Sequence, residues 1–389
     1  MQPTRSHLGL LQSASFVSSY DRFAMAPLLL VIAADLGVSL GAAAAAASVY
    51  YLAYGLMQPV WGTLSERIGR VRTMRLGLAV GVPAGIASAV APDLITLTLT
   101  RGVVGGCFSA VIPAALVYVG DSWPAHVRQR PLSDVLAATA LGTAGGTVGA
   151  GLIADVSTWR LALAASAVAG GAQWIALRRL PEPAGQRTAD RPRLLVARVL
   201  TRPWAVAVLA LAFAEGIAMV GMFVYLAPAL QSAGATVGVA GVVVSLFGVG
   251  VLASSWLVKA LVGRLPPAGL AAIGGVLIML GWAVVSVEVG LATVLAACAL
   301  LGAGWAFFHS TLQGWATDVV PTARATAVSL FVAALFVGGA VGTALAAPLA
   351  DARAFVPMFR IALVLALPVT VAVVWGQSRY ERARSAERR

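Results

Sequence analysis

Five ionisable side chains of this 389-residue sequence lie inside long apolar runs: Asp21, Arg22, Arg101, Glu215 and His309. A charge held in hydrocarbon costs roughly 3 kcal/mol even on the mildest scales, so such groups are functional candidates by default. Their chemistry suits proton exchange. Burial raises a carboxylate's proton affinity and a nearby arginine lowers it, so a contact with Arg101 that makes and breaks would load and unload a proton. Asp21 or Glu215 is the expected carrier. The plain alternative is a fixed buried ion pair that only holds helices together. Arg22, adjacent to Asp21, projects elsewhere on its helix, to pair with another span or to reach the interface. His309 is expected to hydrogen-bond a neighbouring helix rather than to relay protons. The sequence carries no HExxH or phosphate-binding GxxxxGK motif, and no carboxylate pair with a partner base. That argues against an enzyme and against an ATP-driven pump. Cys107 and Cys298 are lone thiols in different apolar runs, which implies no disulfide, redox motif or metal site, and no cofactor is expected.

The elements that must position these groups are apolar helices. Apolar residues make up 60% of the chain and charged ones 11%, too few polar groups to cover a soluble surface. A spanning helix takes about 20 apolar residues. Twelve runs qualify, near 9–35, 41–62, 74–92, 94–119, 135–155, 160–178, 204–230, 237–259, 267–287, 290–315, 325–347 and 355–376. The first carries Asp21 and Arg22 mid-run with no small-residue cleavage site after it, so it is expected to be a helix rather than a cleaved leader. Asp21 lies about 15 Å into span 1, Arg101 about 12 Å into span 4 and Glu215 about 16 Å into span 7. All three therefore sit near the midplane, with His309 closer to one end of span 10.

The formal charge of +12 is spread in short basic runs between apolar stretches, a topology signal rather than a nucleic-acid surface. With both termini inside, 22 of the 27 basic residues fall on the cytoplasmic side. A multi-pass protein of a bacterial-type inner membrane with both ends cytoplasmic is the expectation. The polar stretch after Leu180 divides the chain into a first half at 1–180, a linker at 181–203, a second half at 204–378 and a basic tail at 379–389. Four landmarks recur in order at an offset of about 195 residues. Asp21 matches Glu215, and Gly69-Arg70 matches Gly263-Arg264. The run Gly145–Gly149 matches Gly338–Gly342, and Asp121-x-x-Pro124 matches Asp318-x-x-Pro321. Two parallel six-helix repeats follow, with a substrate expected between them.

The segment Gly62-Thr63-Leu64-Ser65-Glu66-Arg67-Ile68-Gly69-Arg70-Val71-Arg72 resembles the signature loop of the major facilitator superfamily. Glu66 stands where that loop usually has Asp, and Val71 where a basic residue is common. The resemblance implies a gating role for Gly62, Glu66, Arg67, Gly69 and Arg70, with the acidic position docking near the start of span 11 in one state and releasing in the other. A carboxylate there would favour the positive end of a helix. Span 5 is similar to the glycine-rich motif of the family's drug–proton antiporters, with Thr147 in place of its proline. Gly142 with Gly146, and Gly145 with Gly149, are small-x-x-x-small pairs that let helices approach closely. Arg101-Gly102-Val103-Val104-Gly105 is similar to the family's span-4 motif, whose arginine is linked to proton coupling.

An all-α integral membrane protein of twelve helices is the expected fold. The expected function is proton-coupled export of a small organic molecule, with the lipid bilayer, protons and one solute as partners and no nucleic acid. The chain is expected to act as a monomer. Tyr20, Tyr50, Tyr51, Tyr54, Tyr225, Trp305, Phe307 and Phe308 suit an amphipathic solute or plain packing. The alternatives are a proton-coupled importer on the same fold and, from another class, a non-transporting receptor or enzyme.

Overall fold

The computed structural model describes residues 5–124, 126–183 and 192–387. Its regular elements are all helices, because apolar segments of about 20 residues satisfy every backbone group internally only as helices. In chain order they are α1 (Arg5–Asp35), α2 (Leu40–Ile68), α3 (Arg70–Ala89), α4 (Leu94–Ser122), α5 (Gln129–Val156) and α6 (Trp159–Arg179). After a short helix at Pro192–Leu200 come α7 (Pro203–Ser232), α8 (Val237–Leu261), α9 (Pro267–Val285), α10 (Leu291–Asp318), α11 (Arg324–Asp351) and α12 (Phe355–Glu387). Among the described residues, 11 helices are long and apolar enough to cross a membrane. The exception is α3, whose apolar run is held down by Arg70, Arg72 and Arg75 near its start.

Turns and caps explain the boundaries. Ser39 caps α2 by accepting the Ala42 amide at 3.2 Å. Asp93 caps α4 by accepting the Thr96 amide at 2.8 Å, which holds its carboxyl below the usual range. Gly69, between α2 and α3, has a φ of 106°, a backbone that a side chain would strain.

Two spans expected as unbroken helices are interrupted. In α4 the helix breaks at Ser109–Ala110, four residues before Pro113, which has no N–H for the Ser109 carbonyl. Neighbouring side chains serve the carbonyls freed there. Gln58 donates to Ser109 at 3.5 Å, Ser18 to Phe108 at 3.0 Å and Trp61 to Gly106 at 2.6 Å. In α7 the regular helix ends at Glu215, passes through a π-helical turn at Gly216–Gly221 and resumes at Leu226. The linker, read from sequence as a polar connection, contributes the helix Pro192–Leu200, whose Leu195 and Val199 pack with Val320, Ala323 and Ala327. Residues 379–387 of the basic tail continue the helix of α12.

The two ends of the bundle are named here by the turns at Gly37 and Gly69. At the Gly37 end, α1 to α6 meet α7 to α12 through hydrogen bonds. The Gly41 amide donates to Asp351 at 2.5 Å, Gln231 to the Pro27 carbonyl at 2.8 Å and Thr236 to Asp155 at 3.3 Å. Ser48 donates to the Ala340 carbonyl at 2.8 Å further along the seam, and the Gly69 end carries the exposed contact of Lys259 with Ser133 at 3.2 Å.

Candidate functional site

Asp21 sits just past the middle of α1 and is 1% exposed; Arg101 on α4 is fully buried. Arg101 donates Nη1 to Oδ1 and Nη2 to Oδ2 of Asp21, both at 3.0 Å, in a two-pronged pair. Its Nη2 also reaches the Asp21 backbone carbonyl at 3.3 Å, and Ser166 of α6 donates to Oδ1 at 2.8 Å. The Tyr50 ring covers the guanidinium at 4.7 Å. A planar fork on a carboxylate is the strongest geometry such a pair can adopt. Three helices of the first half are thereby tied at one point.

The second carboxylate does not join that cluster. Glu215, 1% exposed at the end of the regular part of α7, faces His309 of α10, whose Nδ1 lies 3.2 and 3.3 Å from its two oxygens. The imidazole stacks on Trp305 at 4.2 Å and leans on Phe331 at 5.4 Å. Unlike Arg101, His309 keeps 16% of its side chain exposed. Arginine stays charged throughout, whereas histidine changes charge near neutral pH. Of these two pairs, Glu215–His309 is the one whose basic partner is partly exposed and of a residue type that can exchange a proton.

Arg22 forms no ion pair with Asp21 or with any other described carboxylate. It donates to Ser19 Oγ at 2.8 Å and to the Tyr54 hydroxyl at 3.2 Å. Phe23, Tyr54 and Phe336 surround its guanidinium at 5.2, 5.3 and 5.3 Å. Of the aromatic residues singled out in the sequence, Tyr50, Tyr51, Tyr54, Tyr225, Phe307 and Phe308 are buried in packing, while Tyr20 and Trp305 remain half-exposed.

The glycines of α5 lie against α1. A Cβ on Gly142 would strike the Phe16 carbonyl, and one on Gly146 the Tyr20 carbonyl. At Gly149 it would strike the Tyr20 hydroxyl, and at Gly145 it would come within 3.0 Å of the Phe16 ring. In the second half, Gly338 and Gly342 of α11 lie in the same way against the Phe213 and Ile217 carbonyls of α7. At each of these glycines two helices approach closely.

In the segment from Gly62 to Arg72, Arg70 pairs with Asp121 at 3.0 Å. Gly62 lies near Ser329 at the start of α11, so the segment and that helix do adjoin. Glu66 is half-buried and makes no hydrogen bond or ion pair among the described residues, and Arg67 is exposed. The acidic group at the start of α3 is instead Glu182. It accepts the amides of Arg70, Val71 at 3.1 Å and Arg72 at 3.2 Å, an anion on the positive end of a helix. Sequence reasoning missed Glu182, since nothing in its spacing places residue 182 at a turn more than a hundred positions earlier.

Comparison with known proteins agrees with this architecture. The profile of the Major Facilitator Superfamily matches residues 12–343. A triacylglyceride transporter of Mycolicibacterium smegmatis is 28% identical over 132 residues, 33% of this chain and 24% of that protein. The inner membrane transport protein YdhP of Escherichia coli K12 is 26% identical over 224 residues, 57% of each chain. The aligned parts thus span from a quarter to a little over half the length of these relatives. Among solved structures, a bacterial homologue of the human lysosomal transporter Spinster, inward-facing and unoccupied, superposes with a TM-score of 0.75 at 15% identity. It covers 98% of both chains, a likeness of fold.

Proposed function

The chain belongs to the Major Facilitator Superfamily, and from that premise we propose that it exports a small organic molecule in exchange for protons, by alternating access. It is a membrane transporter, not an enzyme. The observation that carries the proposal is the Glu215–His309 pair: a buried carboxylate on a partly exposed imidazole, at the point where α7 leaves regular helix. A π-helical turn inside a spanning helix commonly marks a functional position. The pair as a unit takes one proton when open to the acidic side and gives it up when the solute, or a change of helix packing, makes its charged form more favourable. Asp21–Arg101, buried and joined by a two-pronged pair, braces the first half instead.

The two pairs also support reading the chain as twelve passes in two parallel repeats. A carboxylate on the first helix meets a basic group on the fourth in each half: Asp21 with Arg101, and Glu215 with His309. The glycine seam of α5 on α1 has its counterpart in α11 on α7. On this reading α3 crosses despite its arginines, and both termini are cytoplasmic, as the basic bias requires. The Gly37 end is then outside and held shut. One pH unit supplies about 1.4 kcal/mol, and 100 mV adds about 2.3 kcal/mol per charge moved. Together, about 3.7 kcal/mol per proton is enough for a several-hundred-fold solute gradient, before any charge carried by the solute itself is counted.

A strain lacking the chain identifies candidate solutes by its increased sensitivity. In everted vesicles with an acidified lumen, such a solute is expected to accumulate inside while the proton gradient drains. Uptake of solute together with protons by right-side-out vesicles would establish import instead.

A further inference from the structure

Arg22 is a guanidinium at membrane depth whose neighbouring carboxylate is already spent. Asp21 gives both its oxygens to Arg101 and takes a further bond from Ser166. Of the five N–H donors of Arg22, one reaches Ser19 and one reaches Tyr54. The buried Nε has no acceptor among the described residues. Rings from both halves surround the charge, Phe23 and Tyr54 from the first and Phe336 from the second. Such rings favour a cation but leave its hydrogen bonds unmade. Retaining an uncompensated charge here is costly unless something supplies the counter-charge.

An aromatic surface leads away from it. Phe23 stacks near Phe247 at 6.3 Å and meets Phe223 edge-on at 6.2 Å. Phe247 touches Trp305 at 6.2 Å, and Trp305 stacks on His309. Arg22, Phe23, Trp305 and His309 each keep part of their surface exposed, whereas Phe223 and Phe247 behind them are buried. Arg22 and Phe23 of the first half touch Phe336, Phe223 and Phe247 of the second, so this surface lies along the seam between them.

We propose that Arg22 is the anion-binding group of the solute site, and that the solute is an organic monoanion with a flat apolar body, such as an aromatic carboxylate. The carboxylate takes the free donors of Arg22 in a two-pronged pair, and the body lies along Phe23 and Trp305. This inference rests on the transport reading above and deepens it by naming the solute class.

The test is equilibrium binding to the purified full-length protein in nanodiscs, using three probes of one shape: 2-naphthoate, 2-naphthamide and 2-naphthylmethylammonium. The wild type is expected to bind the carboxylate about tenfold or more tightly than the amide, and the cation least, as loss of a charged hydrogen bond implies. Arg22→Gln removes the preference for the carboxylate, whereas Arg22→Lys retains most of it and guards against misfolding. Wild-type protein that ignores or fails to prefer 2-naphthoate, or an Arg22→Gln protein that keeps the preference, overturns the proposal. Glu215→Gln separates the two readings: it keeps the carboxylate preference and loses proton exchange. A wild type that selects the carboxylate without moving protons would sink the coupling reading and leave the Arg22 site standing.

Discussion

At Asp21 and Glu215 the same functional group is placed in two chemically different settings. Asp21 is locked by a permanent cation, and removing either partner strands a buried charge, at a cost of about 3–5 kcal/mol. Asp21→Asn and Arg101→Gln are therefore expected to lower the thermal unfolding midpoint of the purified protein by several degrees. Glu215→Gln removes the carboxylate but keeps its shape and a hydrogen-bonding partner for His309, so its midpoint should change little. Equal midpoints for all three variants would remove the distinction between brace and carrier. Depth in an apolar run was enough to single out Asp21, Arg101 and Glu215 from sequence. The partnership of Glu215 with His309 was not legible, because 94 residues separate them and only the packing of α10 on α7 brings them together. A histidine bonded to a neighbouring helix was the expectation for His309; that its partner is Glu215 gives the residue its chemistry.

Close helix approach is decided at glycine. Gly146→Leu would drive a side chain into the Tyr20 carbonyl, a backbone atom that cannot yield unless α5 leaves α1. Gly145→Ala meets only the edge of the Phe16 ring, which can turn aside. The first substitution is expected to abolish the monodisperse peak in fluorescence-detected gel filtration, and the second to leave it nearly unchanged. The small-x-x-x-small spacing made this seam readable in the sequence. The breaks in α4 and α7 were not, because a run of apolar residues reads alike whether its helix is regular or not. Pro113 was the available signal for α4, and its meaning depends on Gln58 of α2 lying where the Ser109 carbonyl is freed. The N-terminal cap that Glu182 places on α3 is likewise a product of tertiary packing alone.

At the scale of the whole molecule, hydrogen bonds join α1 to α6 with α7 to α12 at the Gly37 end, and the basic bias is the ground for the proposed orientation of that end. Single cysteines at 62–73 or 180–203 are expected to resist an impermeant thiol reagent in intact cells, while those at 232–236 or 287–290 react. Labelling within 180–203 in sealed cells would invert or break the proposed topology. Of the twelve expected apolar runs, all but the third coincide with helices long and apolar enough to cross a membrane, since lipid imposes span length. The closed end could not be read from the sequence, because it rests on long-range contacts such as Gly41 with Asp351. The most direct test of the account compares solute exchange with proton-driven accumulation in vesicles carrying wild-type protein or Glu215→Gln. If the Glu215–His309 pair carries the coupling proton, the variant still exchanges labelled for unlabelled solute across the membrane but no longer concentrates it when a proton gradient is imposed. Undiminished proton-driven accumulation by Glu215→Gln would contradict the account.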